Sequence, residues 1–333
     1  MDSIPPLVVA VVVVALIFDY INGFHDAANS IATIVATRVL TPGQAVAWAA
    51  FWNFVAAFSA GTGVAKTVGK GLVDLDKIDS YVILAGLLGA ITWDLVTWYW
   101  GLPSSSSHAL IGGYAGAAIA RAGLDAILWG PVWRDTLLFI FIAPFIGMVL
   151  AYALMVAMFW LFRGSSPKKM DGWFRNLQLV SSAFFSYSHG ANDAQKTMGV
   201  ITGVLFTSKL IPEFAVPGWV MFSAYAAIAL GTLSGGWRII HTMGGRLTRL
   251  KPRSGFCAET AAGLSIIFAT IIGKPVSTTH TAAGAIAGVG SIQRLKAVRW
   301  GVATNILWAW ILTIPAAAGV GWLSMRIIDA IVR

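Results

Sequence analysis

Apolar runs fill most of the chain, and the polar positions between them are few and clustered. The runs lie roughly at 4–21, 23–37, 44–65, 80–100, 104–120, 136–162, 177–188, 190–206, 218–237, 255–273, 276–292 and 300–325. None alternates with a period of two, so each predicts a helix or half-helix rather than a strand of a closed barrel. The polar stretch 163–176, with Gly164, Pro167, Lys168 and Lys169, predicts a linker between a first half, 1–162, and a second, 177–333.

Composition settles the solvent. With 57% hydrophobic residues, 11% charge and mean hydropathy +0.76, the chain is an all-α polytopic membrane protein rather than a soluble domain. The first run follows Asp2 without a basic segment or a small-residue cleavage pattern, which predicts a retained helix rather than a signal peptide. A single cysteine, Cys257, excludes an intrachain disulfide. The net charge of +9 sits in short loops, as lipid topology requires, so the expected partner is a bilayer and not nucleic acid. Most of the 15 tryptophans fit interfacial belts. Nothing calls for a cofactor, and the oligomeric state stays open, a homodimer included.

Two polar passages occur twice. Gly23-Phe-His-Asp-Ala-Ala-Asn29 matches Gly190-Ala-Asn-Asp-Ala-Gln-Lys196 at an offset of 167, and Pro103-Ser-Ser-Ser-Ser-His108 matches Pro275-Val-Ser-Thr-Thr-His280 at an offset of 172. Near-equal offsets indicate one duplication. Equivalent loops differ in charge: Lys66, Lys70 and Lys77 are balanced by Asp74, Asp76 and Asp79, whereas the later counterpart has Arg238, Arg246, Arg249, Lys251 and Arg253. Likewise Arg121 and Arg134 are balanced by Asp125 and Asp135, while Arg294, Lys296 and Arg299 are not. By the positive-inside rule the two halves have inverted topology, with the linker inside and both termini outside. Each Ser/Thr motif is flanked by loops on one side, and His108–Ala120 is too short for roughly 30 Å of hydrocarbon. Two re-entrant hairpins with their tips near the midplane are therefore expected. The Asp motifs are expected to break their helices at Asn22-Gly23 and His189-Gly190.

Chemistry follows from these motifs. Helix N-termini bearing Ser105, Ser106 and Ser107, and Ser277, Thr278 and Thr279, offer backbone N–H and hydroxyl donors to an oxyanion. One motif alone could be mere capping; a duplicated pair favours anion binding, with Asn29, Asn192 and Lys196 as further substrate contacts. Intramembrane Asp26 and Asp193 are expected to bind a coupling cation or proton, with Lys196 shielding the anion from them. Among the motif histidines, His25 is the coupling candidate because it titrates near neutral pH and its counterpart is Asn192. His108, His189 and His280 fit neutral groups bonded to broken backbone. Glu259, Asp19 and Asp94 are acids without a partner in the other half and rank after the paired ones.

At these residues the chain resembles the PiT family of inorganic phosphate transporters over essentially its whole length. The resemblance implies phosphate held between hairpin tips and Asp helices, in the plasma (inner) membrane of a bacterium. Sodium-coupled members have Asn at the position of His25, Glu at that of Asn53 and a small-residue–Asn pair at Gln195-Lys196, whereas Glu259 matches their pattern. The motifs are similar instead to low-affinity bacterial permeases, which implies proton symport of phosphate, partly as a neutral complex with a divalent metal. Sodium coupling and a sulfate permease of the same fold are the alternatives; an intramembrane metal-dependent hydrolase is disfavoured because no His-Glu-x-x-His cluster is present.

Overall fold

The computed structural model describes residues 4–292 and 297–332, so the loop charges Arg294 and Lys296 lie outside the described residues. The described residues form α1 (Pro6–Ala36), α2 (Pro42–Val55), α3 (Gly63–Gly71), α4 (Ser80–Trp100), α5 (Ser106–Ala122), α6 (Pro131–Leu161), α7 (Pro167–Thr207), α8 (Gly218–Ser234), α9 (Trp237–His241), α10 (Pro252–Ile271), α11 (Thr278–Ser291) and α12 (Trp300–Val332). Proline stands in the first turn of α1, α2, α6, α7 and α10, where its missing N–H costs nothing. Within the segment expected to be a linker, only Arg163–Ser166 is outside helix; from Pro167 on, the chain is already the first turns of α7.

The hairpins are present, and contacts fix their directions. At the base of the first, α4–α5, Arg121 pairs with Asp79 at 2.7 Å, so the hairpin leaves on the face where it entered. Asp329, near the end of α12, joins the same arginine. At the base of the second, α10–α11, Arg299 N donates to Leu247 O (3.0 Å). Each hairpin turns over at a glycine of positive φ, Gly101 or Gly273, two residues before Pro103 or Pro275. The first turn touches the region of α9, where Thr242 donates to Gly101 O (2.9 Å). The second touches α3, where Thr67 donates to Gly273 O (2.8 Å). Since α9 leads into the base of the second hairpin and α3 into that of the first, the hairpins point in opposite directions. The repeats are inverted.

Arm lengths refine this picture. At 1.5 Å per residue, α4 and α10 (21 and 20 residues) are about 30 Å long and can cross a membrane; α5 and α11 (17 and 14 residues) cannot. The turns themselves reach the opposite face, and the extended segments 102–105 and 274–277 fold back. The hydroxyls therefore sit inside the protein rather than at the turn.

The halves exchange partners. Hairpin α4–α5 packs on α12 and hairpin α10–α11 on α6, while α1 packs on α8 and α7 on α2. This exchange corrects the expected helix breaks: α1 and α7 run unbroken through Gly23 and Gly190. The glycines are there because a Cβ at Gly23 would lie 2.3 Å from Ile228 O, and one at Gly190 2.6 Å from Asn53 O. They permit backbones to touch, as small residues do between membrane helices. Basic groups gather on one face, where Arg175 donates to Arg38 O (2.8 Å) and Arg253 lies 3.7 Å from Asp171.

Candidate functional site

Where α1 and α7 cross the folded-back hairpin arms, a polar cluster is enclosed on every side. Asp26, Asn29, Ser106, Ser107, Asp193, Lys196, Thr278 and Thr279 are each at most 4% exposed. Local capping aims the hydroxyls: Ser105 accepts from His108 N and Ser277 from His280 N, closing the two helix N-termini. The first hydroxyl of each expected triplet thus caps its helix, and the two that follow face the cluster. Ser106 and Thr279 donate to Asp26 at 3.4 and 3.3 Å, and Thr278 donates to Asp193 at 3.3 Å.

The repeats meet crosswise in this cluster. Three residues after its aspartate, each central helix reaches the other half's hairpin: Asn29 donates to Thr279 (2.8 Å) and Lys196 to Ser107. One residue before its aspartate, each reaches its own hairpin. His25 Nε2 lies 3.0 Å from Thr97 Oγ1 and 3.4 Å from Ser104 Oγ. Asn192 donates to Thr270 (2.9 Å) and accepts from Val276 N (3.4 Å). Asn192 therefore holds an arm in place and contributes no polar atom to the hydroxyl cluster. Positions −1 and +3 lie one turn apart on a single helix face, which is how one short motif serves two hairpins.

Charge is arranged unequally. Lys196 Nζ lies 2.5 Å from the Asp193 carboxylate and also donates to Val276 O (3.1 Å), so one carboxylate is paired with a lysine. The other, Asp26, meets His25 Nδ1 at 2.7 Å. Ligand atoms of Asp26, His189 and Asp193 all lie within 4.8 Å of one another.

Several expected roles shift. His189 faces the Asn53 side chain (3.2 Å) and the Asp193 carboxylate (3.4 Å), and His280 stacks on Trp310 with ring centroids 3.9 Å apart and touches His108 at 4.9 Å. Glu259 lies outside the cluster. It accepts from Thr33 (2.5 Å), Gln178 (2.9 Å) and Ser181 (2.5 Å), and a cavity with room for about one water molecule lies between it and Asn29. Thr37 extends this chain through Gln178 (2.8 Å) toward the basic face. The equivalent positions of the other half, at the same offsets, are Val11, Val14, Leu87, Val200 and Val204. One route from the cluster is polar and its mirror image is apolar. Sequence reasoning missed Thr33, Thr97, Ser104, Gln178 and Ser181; the spacing of Asp94 and Thr97 on one face of an apolar helix was the available signal.

The family model described as "Phosphate transporter family" matches residues 22–173 and 163–321. The chain belongs to that family. Two relatives are each named a probable low-affinity inorganic phosphate transporter. The one from Rhizobium meliloti (strain 1021) is 54% identical over 314 residues, covering 94% of either chain. The one from Bacillus subtilis (strain 168) is 45% identical over 334 residues, covering 99% of this chain and 100% of that one. A solved structure titled "The sodium-dependent phosphate transporter" shares the fold with a TM-score of 0.90 at 24% identity, over 98% of this chain and 100% of that one. These relatives are transporters, not enzymes, and this family member is an integral membrane protein.

The division of labour among the hydroxyls is testable in this family member. Ser105→Ala and Ser277→Ala are each expected to cost about 1 kcal/mol of stability, with little change in the apparent affinity for transported phosphate. Ser107→Ala and Thr279→Val are expected to raise the half-saturating concentration instead. Thermal melts and uptake titrations of the four variants separate the two classes; equal affinity losses in all four would contradict the assignment.

Proposed function

We propose that this protein imports inorganic phosphate by proton symport, with phosphate held between Ser106, Ser107, Thr278 and Thr279 and the Asp26–Asp193 pair. The reading is carried by the unequal counter-ions of the two carboxylates. Lys196 occupies a position beside Asp193 where an added sodium ion would be repelled, while Asp26 faces a histidine. Phosphate entering the cluster takes the Ser and Thr hydroxyls as donors, and the carboxylates they leave need new ones. HPO₄²⁻ supplies its own O–H, which sulfate lacks, and this favours phosphate. Asn29 and Asn192 serve the site in different ways, the first facing the hydroxyls and the second bracing a hairpin arm.

Transport proceeds by one repeat rocking against the other about the enclosed cluster. Inward release follows the polar route through Thr33 and Glu259 toward the basic, cytoplasmic face, while the apolar mirror route seals the other side. Both termini then face outward, in the plasma membrane of a bacterium. A second reading, in which phosphate enters as a neutral complex with a divalent metal, is favoured by the closeness of Asp26, His189 and Asp193.

Radiolabelled phosphate uptake into proteoliposomes tests the coupling. An imposed pH gradient, acid outside, is expected to drive accumulation without sodium; accumulation driven by sodium and not by the pH gradient would sink proton symport. Competition by equimolar sulfate would sink the substrate assignment, and stimulation of uptake by added divalent metal would support the second reading.

A further inference from the structure

Asp19 on α1 is fully buried, and neither of its carboxylate oxygens makes a hydrogen bond. It stands seven residues before Asp26, about 10 Å along the helix, and so lies beyond the hydroxyl cluster. Its polar neighbours are Asn22 on the same helix and Thr197 on α7. Asn22 Oδ1 and Thr197 Oγ1 are buried without a partner as well. The two Asp19 oxygens and Asn22 Oδ1 are thus acceptors left unpaired beside the Thr197 hydroxyl and the Asn22 amide. A carboxylate with no counter-ion in contact and no hydrogen bond made is not tenable as an ion in an apolar interior. One proton resolves the arrangement: Asp19 becomes a donor, Asn22 Oδ1 accepts from it, and Thr197 donates to its remaining oxygen.

The other half carries the same niche without the acid. At the offset of 167, Asp19, Asn22 and Thr197 correspond to Ser186, His189 and Ser30. Ser186 Oγ and Ser30 Oγ are likewise buried without a hydrogen bond, while His189 Nε2 lies 3.4 Å from the Asp193 carboxylate. The duplicated niche therefore holds one ionisable carboxyl, on one side only. Asp193 and Lys196 of α7 and the Tyr225 hydroxyl of α8 are the charged and titratable groups that face Asp19. From α4, Asp94 faces His25 and Ser106 instead, and α2 contains no titratable residue.

We propose that Asp19, with Asn22 and Thr197, is a proton-carrying site of the transport cycle, an assignment that rests on the proton-coupled reading above. The carboxylate takes a proton from water on one face, holds it while the cluster is enclosed, and returns it to water on the other face as α1 and α7 part. Loss of that proton adds a negative charge near Asp193, which weakens the hold on the anion and ties the two releases together.

Proteoliposomes distinguish this role from a structural one. Asp19→Asn is expected to keep phosphate exchange at symmetric pH within about threefold of wild type and to lose accumulation driven by a pH gradient, whereas Asp19→Glu keeps both. Thr197→Val, which removes the hydroxyl donor and keeps the shape, is expected to shift the pH midpoint of exchange; this measurement stands even where Asp19→Asn fails to insert. Accumulation by Asp19→Asn equal to wild type, loss of exchange together with accumulation, or an unshifted midpoint in Thr197→Val would each overturn the assignment. Sodium-driven accumulation that Asp19→Asn abolishes would make the niche a sodium site and overturn it too. A wild-type protein indifferent to the pH gradient removes the proton-coupled reading itself, while a responsive wild type with an equally responsive Asp19→Asn removes only the role of Asp19.

Discussion

Asp193→Asn is expected to abolish phosphate accumulation, lowering uptake by roughly 100-fold or more, since removing one partner of a buried ion pair costs about 3–5 kcal/mol. The substitution leaves the Lys196 ammonium, 2% exposed, with neutral acceptors only: the new amide oxygen, the Ser107 hydroxyl and Val276 O. An uncompensated positive charge then pulls on the arms of both hairpins. Asp26→Asn is expected to abolish accumulation as well but with a smaller loss of stability, because imidazole is a stable neutral group near pH 7 and His25 keeps Thr97 and Ser104 as hydrogen-bonding neighbours. Both variants are expected to insert into the membrane. The double substitution Asp193→Asn with Lys196→Met removes the charges together, and it is expected to recover much of the thermal stability without recovering transport. Uptake in proteoliposomes and melting of the purified protein read the two effects separately. Wild-type accumulation by either single variant would remove that carboxylate from the mechanism.

Gly190→Ala is expected to lower stability by about 1–3 kcal/mol, as overpacking does, and to cut uptake with it. The added Cβ would lie 2.6 Å from Asn53 O and 2.8 Å from Asn53 Cα, and the atoms in the way are backbone, which cannot rotate aside. Separation of α2 from α7 would also pull Asn53 from His189, one turn before Asp193. Gly203→Ala on the same helix is the matched control: nothing lies within 4 Å of its added Cβ. There the change is expected to be neutral or stabilising by up to about 1 kcal/mol, from helix propensity alone. Equal melting temperatures for the two variants would show that the close approach of α7 to α2 is not what holds the central helices.

Glycine is also where local reading misled. Asn22-Gly23 and His189-Gly190 look like breaks in apolar helices, yet both helices continue, and the glycines serve neighbours far away in sequence. The hydroxyl triplets misled in a smaller way. Their presence at two helix starts was legible, but which hydroxyl is consumed as a cap depends on the extended approach of the arm. Glu259 was legible as an intramembrane acid. Its separation from Asp26, across Thr33 and a cavity for about one water, was not.

The amino-acid sequence alone determined the membrane class, the duplication, the inversion of the halves and the residue types of the site. These rest on local quantities: apolar run length against bilayer thickness, charge per loop, and the repetition of motifs at near-constant offsets. Tertiary structure alone decided the crosswise pairing, Asn29 to Thr279 and Lys196 to Ser107, the unbroken course of α1 and α7, and the isolation of Asp19 and Glu259. Such contacts join residues far apart in the chain, and they are selected by how helices exchange partners between the halves. No local pattern records that exchange, because either hairpin could satisfy the same hydroxyls and helix ends within its own half. Only close packing of each hairpin on the other half's helix commits it across the middle.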